Sequence, residues 1–321
     1  DMVTRHIGTT IDWKIDAFDA LNTAFIEDGL MMHVPAGVHL EHPVHVLHVT
    51  RSGDKPIVSH PRTLIVVENG GRATCVETCC GLGDDPCLVN PVTEIVAGDD
   101  VHVDHYRIVR EGEKTWHIGG FGLIQGNRSN VNSCCMALDG EIIRNGMTGT
   151  LDGTEGMANL RGLAVVDGSR HVDNFLRVNH MKPECDSREY FKHILTDKGS
   201  AAFTGRIYVE EDAQKTDAVQ TNMNLLLSEN AKVRTRPQLE IFADDVKCTH
   251  GATIGRLDEQ AMFYLHARGI GKEAAKSLLT FAFANEVIED IELLPLRRMM
   301  ESLLLERLPH GDLLRSMGGV D

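Results

Sequence analysis

No apolar run approaches the roughly 20 residues that a membrane-spanning helix requires, which argues against a transporter permease. No apolar block follows the opening Asp1-Met2-Val3-Thr4-Arg5-His6, so no export signal is visible. Positive charge is in deficit: 32 basic against 47 acidic side chains leave a net charge of −15 over 321 residues. A nucleic-acid surface needs a basic stripe and an anionic membrane a basic patch, so both are disfavoured. The sequence holds no G-x4-G-K-[ST] phosphate loop, no G-x-S-x-G nucleophile elbow and no H-E-x-x-H zinc motif. Gly119-Gly120-Phe121-Gly122 lacks the strand-to-helix setting of a dinucleotide site, so any nucleotide used here is bound by another subunit. Aromatics are few as well, with two Trp and four Tyr beside sixteen His and eight Cys.

A chain of this length builds a full core without a disulfide or metal staple. With no export signal, the cysteines read as reduced thiols of a cytoplasmic protein. Cys75, Cys79, Cys80 and Cys87 are enough for a zinc or iron site, but their spacing is not that of two facing C-x2-C pairs. On a strand, Cys75 and Cys79 share one face and Cys80 takes the other, so they read as small buried thiols. His33, His39, His42, His45 and His48 crowd one segment, and the three-residue spacing of the last three does not align on a strand. They read mostly as solvent-facing. His102 and His105 form an H-x2-H pair without a third ligand.

Lys14 to Asp28 carries Ala17, Ala20, Leu21, Ala24 and Phe25 at helical spacing, with Gly29 as a stop. From about 31 to 255 the texture is different: a Gly, Asn or Asp turn, then a few alternating apolar and polar residues. The phrase returns at Gly70, Gly98 and Gly126, each 28 apart, and at Gly168, Gly199 and Asn230, each 31 apart. That loose period without intervening helices predicts a β-solenoid, whose coils share one apolar interior. A β-sandwich is the competing architecture. After Gly255, Lys272 to Leu293 is helical, with Ala275, Leu278, Leu279, Ala282, Val287 and Ile291 as an apolar stripe. Pro295 interrupts it and a second helix follows to Leu308. Such a pair either caps the last coil or presents a docking surface.

Cys248-Thr249-His250-Gly251 is the sharpest candidate site. On an extended strand Cys248 and His250 point the same way, about 7 Å apart. A thiolate and an imidazole on one edge suit iron or zinc. Two ligands are incomplete, so a second chain would supply the rest; the bland alternative is a small buried Cys beside a surface His.

Several stretches are similar to a known family. They include Phe203-Thr204-Gly205-Arg206-Ile207-Tyr208-Val209, Gln220-Thr221-Asn222-Met223-Asn224, Pro237-Gln238-Leu239-Glu240-Ile241 and Asp245 to Gly255. Phe263-Tyr264-Leu265-His266-Ala267-Arg268-Gly269-Ile270 and the early Asp28-Gly29-Leu30 with His33-Val34-Pro35-Ala36-Gly37-Val38 also belong to the set. Together they resemble the SufB/SufD family of iron–sulfur cluster assembly scaffolds, nearer its SufD branch at Lys247-Cys248-Thr249-His250. The resemblance implies a right-handed parallel β-helix over 31–256. It implies a 1–30 helical remnant of a trimmed region, and a 257–321 helical region that docks the SufC ATPase through Leu278, Leu279, Phe283 and Val287. It further implies a dimer with SufB or with a second copy through the C-terminal end of the β-helix. There His250, with Cys248 beside it, contributes ligands to a transient iron–sulfur cluster. The chain then acts as a non-enzymatic scaffold that binds no nucleotide itself. The rival reading is a solenoid enzyme, either carbohydrate-active or an acyltransferase, for which ordered carboxylates along one face would be needed.

Overall fold

From Gly29 to Gly255 the chain repeats one unit: a run whose alternate residues are apolar, then a tight corner, then another run. The computed structural model of the protein describes residues 2–53, 55–83, 85–308, 311 and 315. Two short helices, α1 (Met2–His6) and α2 (Ala17–Ala24), precede the strands. These are β1 (Gly29–Val34), β2 (Val44–Arg51), β3 (Ile57–Ser59), β4 (Arg62–Val67), β5 (Arg72–Leu82), β6 (Cys87–Val89), β7 (Val92–Ala97), β8 (His102–Arg110) and β9 (Thr115–Gln125). Then come β10 (Asn130–Asp139), β11 (Ile142–Leu151), β12 (Met157–Val166), β13 (His171–His180), β14 (Asp186–Leu195), β15 (Ser200–Val209), β16 (Asp217–Leu226), β17 (Lys232–Ile241) and β18 (Lys247–Gly255). Three helices follow: α3 (Glu259–Ala267), α4 (Lys272–Ile288) and α5 (Leu294–Arg307).

Strands pair in parallel with those of the neighbouring coils. One sheet runs β1-β4-β7-β9-β11-β13-β15-β17, with β3 and β6 as a short side row, and the other runs β2-β5-β8-β10-β12-β14-β16-β18. A sandwich would bring antiparallel hairpins; here the ladders are parallel and the chain alternates between two faces, which is a parallel β-helix. The coil length drifts, from 26 residues between the paired Trp116 and Ile142 to 33 between Gly29 and Arg62. That drift is why the sequence repeat is loose.

Corner chemistry keeps the coils in register. Asn69 Oδ1 accepts from Asp99 N (2.9 Å), Asp99 Oδ1 from Asn127 N (2.8 Å), and Asn127 Oδ1 from Thr154 N (2.9 Å). These short polar side chains bond the next coil's backbone and so stack the turns like rungs. Between corners, β11, β13 and β15 alternate inward and outward residue by residue. Their inward Met147, Leu176 and Phe203 join Val103, Val131 and Leu160 in the main apolar cluster.

The two outer faces are covered differently. On the first sheet, the N-terminal segment lies against β4, β7 and β9. Glu94 accepts from Gly8 N (2.7 Å), Thr10 N (3.1 Å) and Thr10 Oγ1 (2.8 Å), and pairs with Arg62 at 2.5 Å. The glycine run finds its reason here: a Cβ on Gly120 would sit 2.3 Å from Asp19 Oδ1, and one on Gly122 2.2 Å from Thr10 Oγ1. α2 is shorter than the sequence suggests. Asp16 caps its start by accepting from Phe18 N (2.8 Å) and Phe25 ends it, while Gly29 opens β1 rather than stopping the helix.

On the second sheet, α4 and α5 pack Ala284, Val287, Ile288, Met300 and Leu304 against Tyr106, Ile108, Met136, Leu163 and Ile194 of β8, β10, β12 and β14. The helices therefore cover the flank of the middle coils and do not cap the last one. Lys192 Nζ clamps α4 by donating to Phe283 O (2.7 Å) and Glu286 Oε2 (2.6 Å). Among the described residues, no helix is long and apolar enough to cross a membrane.

Candidate functional site

β17 and β18 end their sheets at the same coil. β18 has a neighbour, β16, on one side, with Cys248 beside Ala218 and His250 beside Gln220. In-register parallel partners point the same way, so Cys248 and His250 face the direction of the solenoid interior. There the interior opens: Cys248 is half-buried and His250 exposed. Cys248 packs against a small apolar cluster of Ile207, Val209, Ala213, Ala218 and Ala243. Burial pushes its thiol above the usual range, so it becomes a ligand when a metal takes the proton's place. The expected pair thus shares one bare edge.

Behind His250 runs a polar file that the sequence reasoning missed. Gln220 Nε2 donates to Glu189 Oε2 at 2.5 Å. Glu189 is 1% exposed, and burial pushes its carboxyl up to about 8, partly offset by that bond. Gly205, across the interior, leaves the room: a Cβ there would lie 2.3 Å from Gln220 Nε2. Beside this file His193 Nδ1 bonds Asn224 Oδ1 (2.7 Å), and Asn174 Nδ2 meets His193 Nε2 (2.8 Å). Asn224 Nδ2 also donates to Thr253 O (2.9 Å), tying β18 to the interior network. The signal lay in strand parity, since Gln220, Asn222 and Asn224 alternate with the residues that face out.

The remaining candidates separate. His102 and His105 fall on opposite faces of β8. His102 bonds Asp104 (3.2 Å) on the outer side, whereas His105 is buried against Glu77 (2.9 Å) and Ser133 (2.9 Å). His42 and His45 are exposed as expected, but His48 turns inward to Glu77 at 3.3 Å. Cys75 and Cys79 are buried and Cys80 is on the other face; burial pushes Cys75 up to about 12. Glu77 accepts from Thr63 (2.8 Å), Thr93 (2.8 Å) and Arg107 (3.1 Å) besides the two histidines. Burial alone would raise its pKa, but the Arg107 guanidinium and the histidine bonds hold it well below the usual range.

Of the expected docking residues, Val287 is fully buried in the α4–α5–sheet contact. Phe283 lies over Lys192, with the ammonium 4.2 Å from the ring centroid. Both are spent on holding α4 to the solenoid. Leu278 and Leu279, like Phe283, keep partial exposure.

The fold and its bare edge meet the comparisons with known proteins at this point. A family model described as "SUF system FeS cluster assembly, SufBD core domain" matches residues 48–283, and one for the SufBD protein N-terminal region matches 1–46. The chain belongs to the SufBD family of iron–sulfur cluster assembly proteins. The iron–sulfur cluster assembly protein SufD of Escherichia coli is 32% identical over 300 residues, covering 93% of this chain and 71% of that protein. A SufBD family protein of Synechocystis is 31% identical over 305 residues, covering 92% of this chain and 67% of its own length. SufD of Bacillus subtilis is 28% identical over 290 residues, covering 89% and 65%. The chain is thus SufD-like within the SufBD family, and the matched core spans the β-helix from within β2 to β18 and runs on into α4.

Proposed function

We propose that this chain is the SufD-like scaffold subunit of a cytoplasmic assembly complex. It pairs through the open end of its β-helix with a SufB-like chain or a second copy, and a SufC-like ATPase docks on its helical region. Building and handing on a nascent iron–sulfur cluster is the work of the whole complex. The observation that carries this reading is that both sheets stop at one coil, with Cys248 and His250 on the last strand.

An unpaired strand edge offers a row of N–H and C=O groups to a partner sheet. Exposed apolar side chains cluster at the same end: Ile241, Phe242 and Ile254 on or beside the last strands, and Phe263 on α3. The cluster is cargo here. His250 offers a free imidazole, and Cys248 a thiol that loses its proton on meeting iron. A partner's ligands complete the set, so the cluster stays as labile as the interface that holds it. The chain supplies ligands and geometry, not a catalytic group. Leu278, Leu279 and Phe283 are partly exposed apolar positions on α4 for the ATPase. Force applied there passes to β14 through Lys192 and Glu286.

Anaerobic reconstitution of the complex tests the site. His250→Ala should lower the cluster yield while leaving partner pairing intact; an unchanged yield removes His250 from the site. Leu278→Asp with Leu279→Asp should abolish co-purification with the ATPase, and retained co-purification rejects that docking face.

A further inference from the structure

Outside the edge site, the interior of the early coils brings together Cys79 of β5, Glu111 at the corner after β8, and His117 of β9. One ligand atom from each lies within 4.8 Å of the other two. Their exposures are 1%, 5% and 0%. His117 Nδ1 bonds Glu111 Oε1 at 3.1 Å. The other two polar atoms, His117 Nε2 and Glu111 Oε2, are buried without a hydrogen-bond partner. A buried carboxylate oxygen left unanswered carries the full cost of its desolvation, and it belongs to the carboxylate that already meets His117 Nδ1.

We propose that Cys79, Glu111 and His117 form a divalent transition-metal site inside the β-helix, taking an ion of the zinc(II) or iron(II) kind. Sulfur, nitrogen and oxygen donors together suit such borderline cations, whereas magnesium and calcium select oxygen alone. Two ligand atoms on one tetrahedral ion sit about 3.4–3.8 Å apart. The three side chains need only small shifts to converge, and the 3.1 Å His117–Glu111 contact is already that close. Charge balances too. Arg107 is the nearby cation and is paired with Glu77 at 3.1 Å. A Glu111 carboxylate and a Cys79 thiolate then neutralise a dication, and the thiol proton leaves to solvent as the metal binds. Burial keeps that thiol protonated when no ion is bound. The corner that carries Glu111 continues into exposed Glu113 and Lys114.

The site is independent of Cys248 and His250, so its test uses the full chain carrying Cys248→Ala and His250→Ala. Anaerobic cobalt(II) titration of that protein should saturate at one equivalent and show a near-ultraviolet sulfur-to-cobalt charge-transfer band, displaced by zinc(II) and by iron(II). Cys79→Ser should abolish the band and His117→Ala should weaken binding about tenfold or more, while Cys87→Ser should change neither. Zinc-edge X-ray absorption of the same parent needs no further substitution. It should give one sulfur at about 2.3 Å with nitrogen and oxygen neighbours near about 2.0 Å. No charge-transfer band, a band that survives Cys79→Ser, or a shell without sulfur overturns the site. Because the edge ligands are already removed, each of those results leaves the cluster-assembly reading standing.

Discussion

The interior of the early coils and that of the last coils solve the same problem in opposite ways. In the early coils Glu77 is surrounded: Thr63, Thr93, His48, His105 and Arg107 all address its two oxygens. The carboxylate stays charged although only 1% exposed. In the later coils Glu189 has Gln220 alone, and it is held neutral by burial instead. The same side chain, at similar depth, is an anion where the stack supplies donors and an acid where it does not. The charged arrangement belongs to coils covered on both flanks, and the neutral one to coils that lead to the open end.

That contrast is broken most severely at Arg107. Arg107→Ala leaves Glu77 charged and unpaired in the interior, and should lower the unfolding free energy by about 3–5 kcal/mol, read by urea denaturation. A loss below about 1 kcal/mol would mean that the threonines and histidines suffice without the cation. Covered flank against bare end gives the next effect. Leu304→Ala removes a fully buried contact of α5 and should cost about 2–5 kcal/mol, whereas Ile254→Ala at the open end should change monomer stability by less than about 0.5 kcal/mol yet weaken pairing.

The acid–base difference is smaller and has a defined sign. Burial pushes the Glu189 carboxyl up to about 8 from its ordinary 4.5. Between those values the folded state holds a proton that the unfolded chain has lost, so stability falls as pH rises through this window. His180 and His193 act the other way. Burial pulls each down to about 4, so the unfolded chain binds the extra protons between about 4 and 6.5, and stability rises with pH there. From pH 6.5 to 8 Glu189 acts without them. Wild type should lose about 1–2 kcal/mol over that span, and Glu189→Gln should flatten the fall. An unaltered slope in the variant would place the titration elsewhere. His250→Ala sharpens the comparison from the other side, with a stability change under about 0.5 kcal/mol and its effect confined to cluster yield.

Much of this was legible in the sequence. Alternation and turn residues spelled out the coils, and Cys248 and His250 share a face because strand periodicity is two. What connects distant coils was not. Cys79, Glu111 and His117 come from two strands and a corner, and their meeting depends on how corner lengths set the stacking, which a drifting period hides. Gly120 and Gly122 looked like a nucleotide loop without its context because a close-lying N-terminal segment asks for the same residue type. An amphipathic helix declares which face it buries but not against what. The stripe on α4 therefore left two outcomes open, and Val287 went to the flank of β12 and β14. Glu189 gave no local sign at all, since its acidity is set by burial that the single donor opposite only partly offsets.

The two terminal strands also differ in how they guard their edges. β17 presents exposed Lys232, Arg234 and Arg236 and includes Pro237. Cations and proline are what natural sheets use to refuse edge-to-edge growth. β18 has Lys247 as its one cation and no proline. Chains that meet edge to edge through β18 use up the unguarded edge of each, so the assembly terminates at a pair. Chains that stacked end to start would present a fresh edge at every addition and elongate into fibres. In the proposed pairing, three cations and one proline would thus act as a stopping rule for polymerisation.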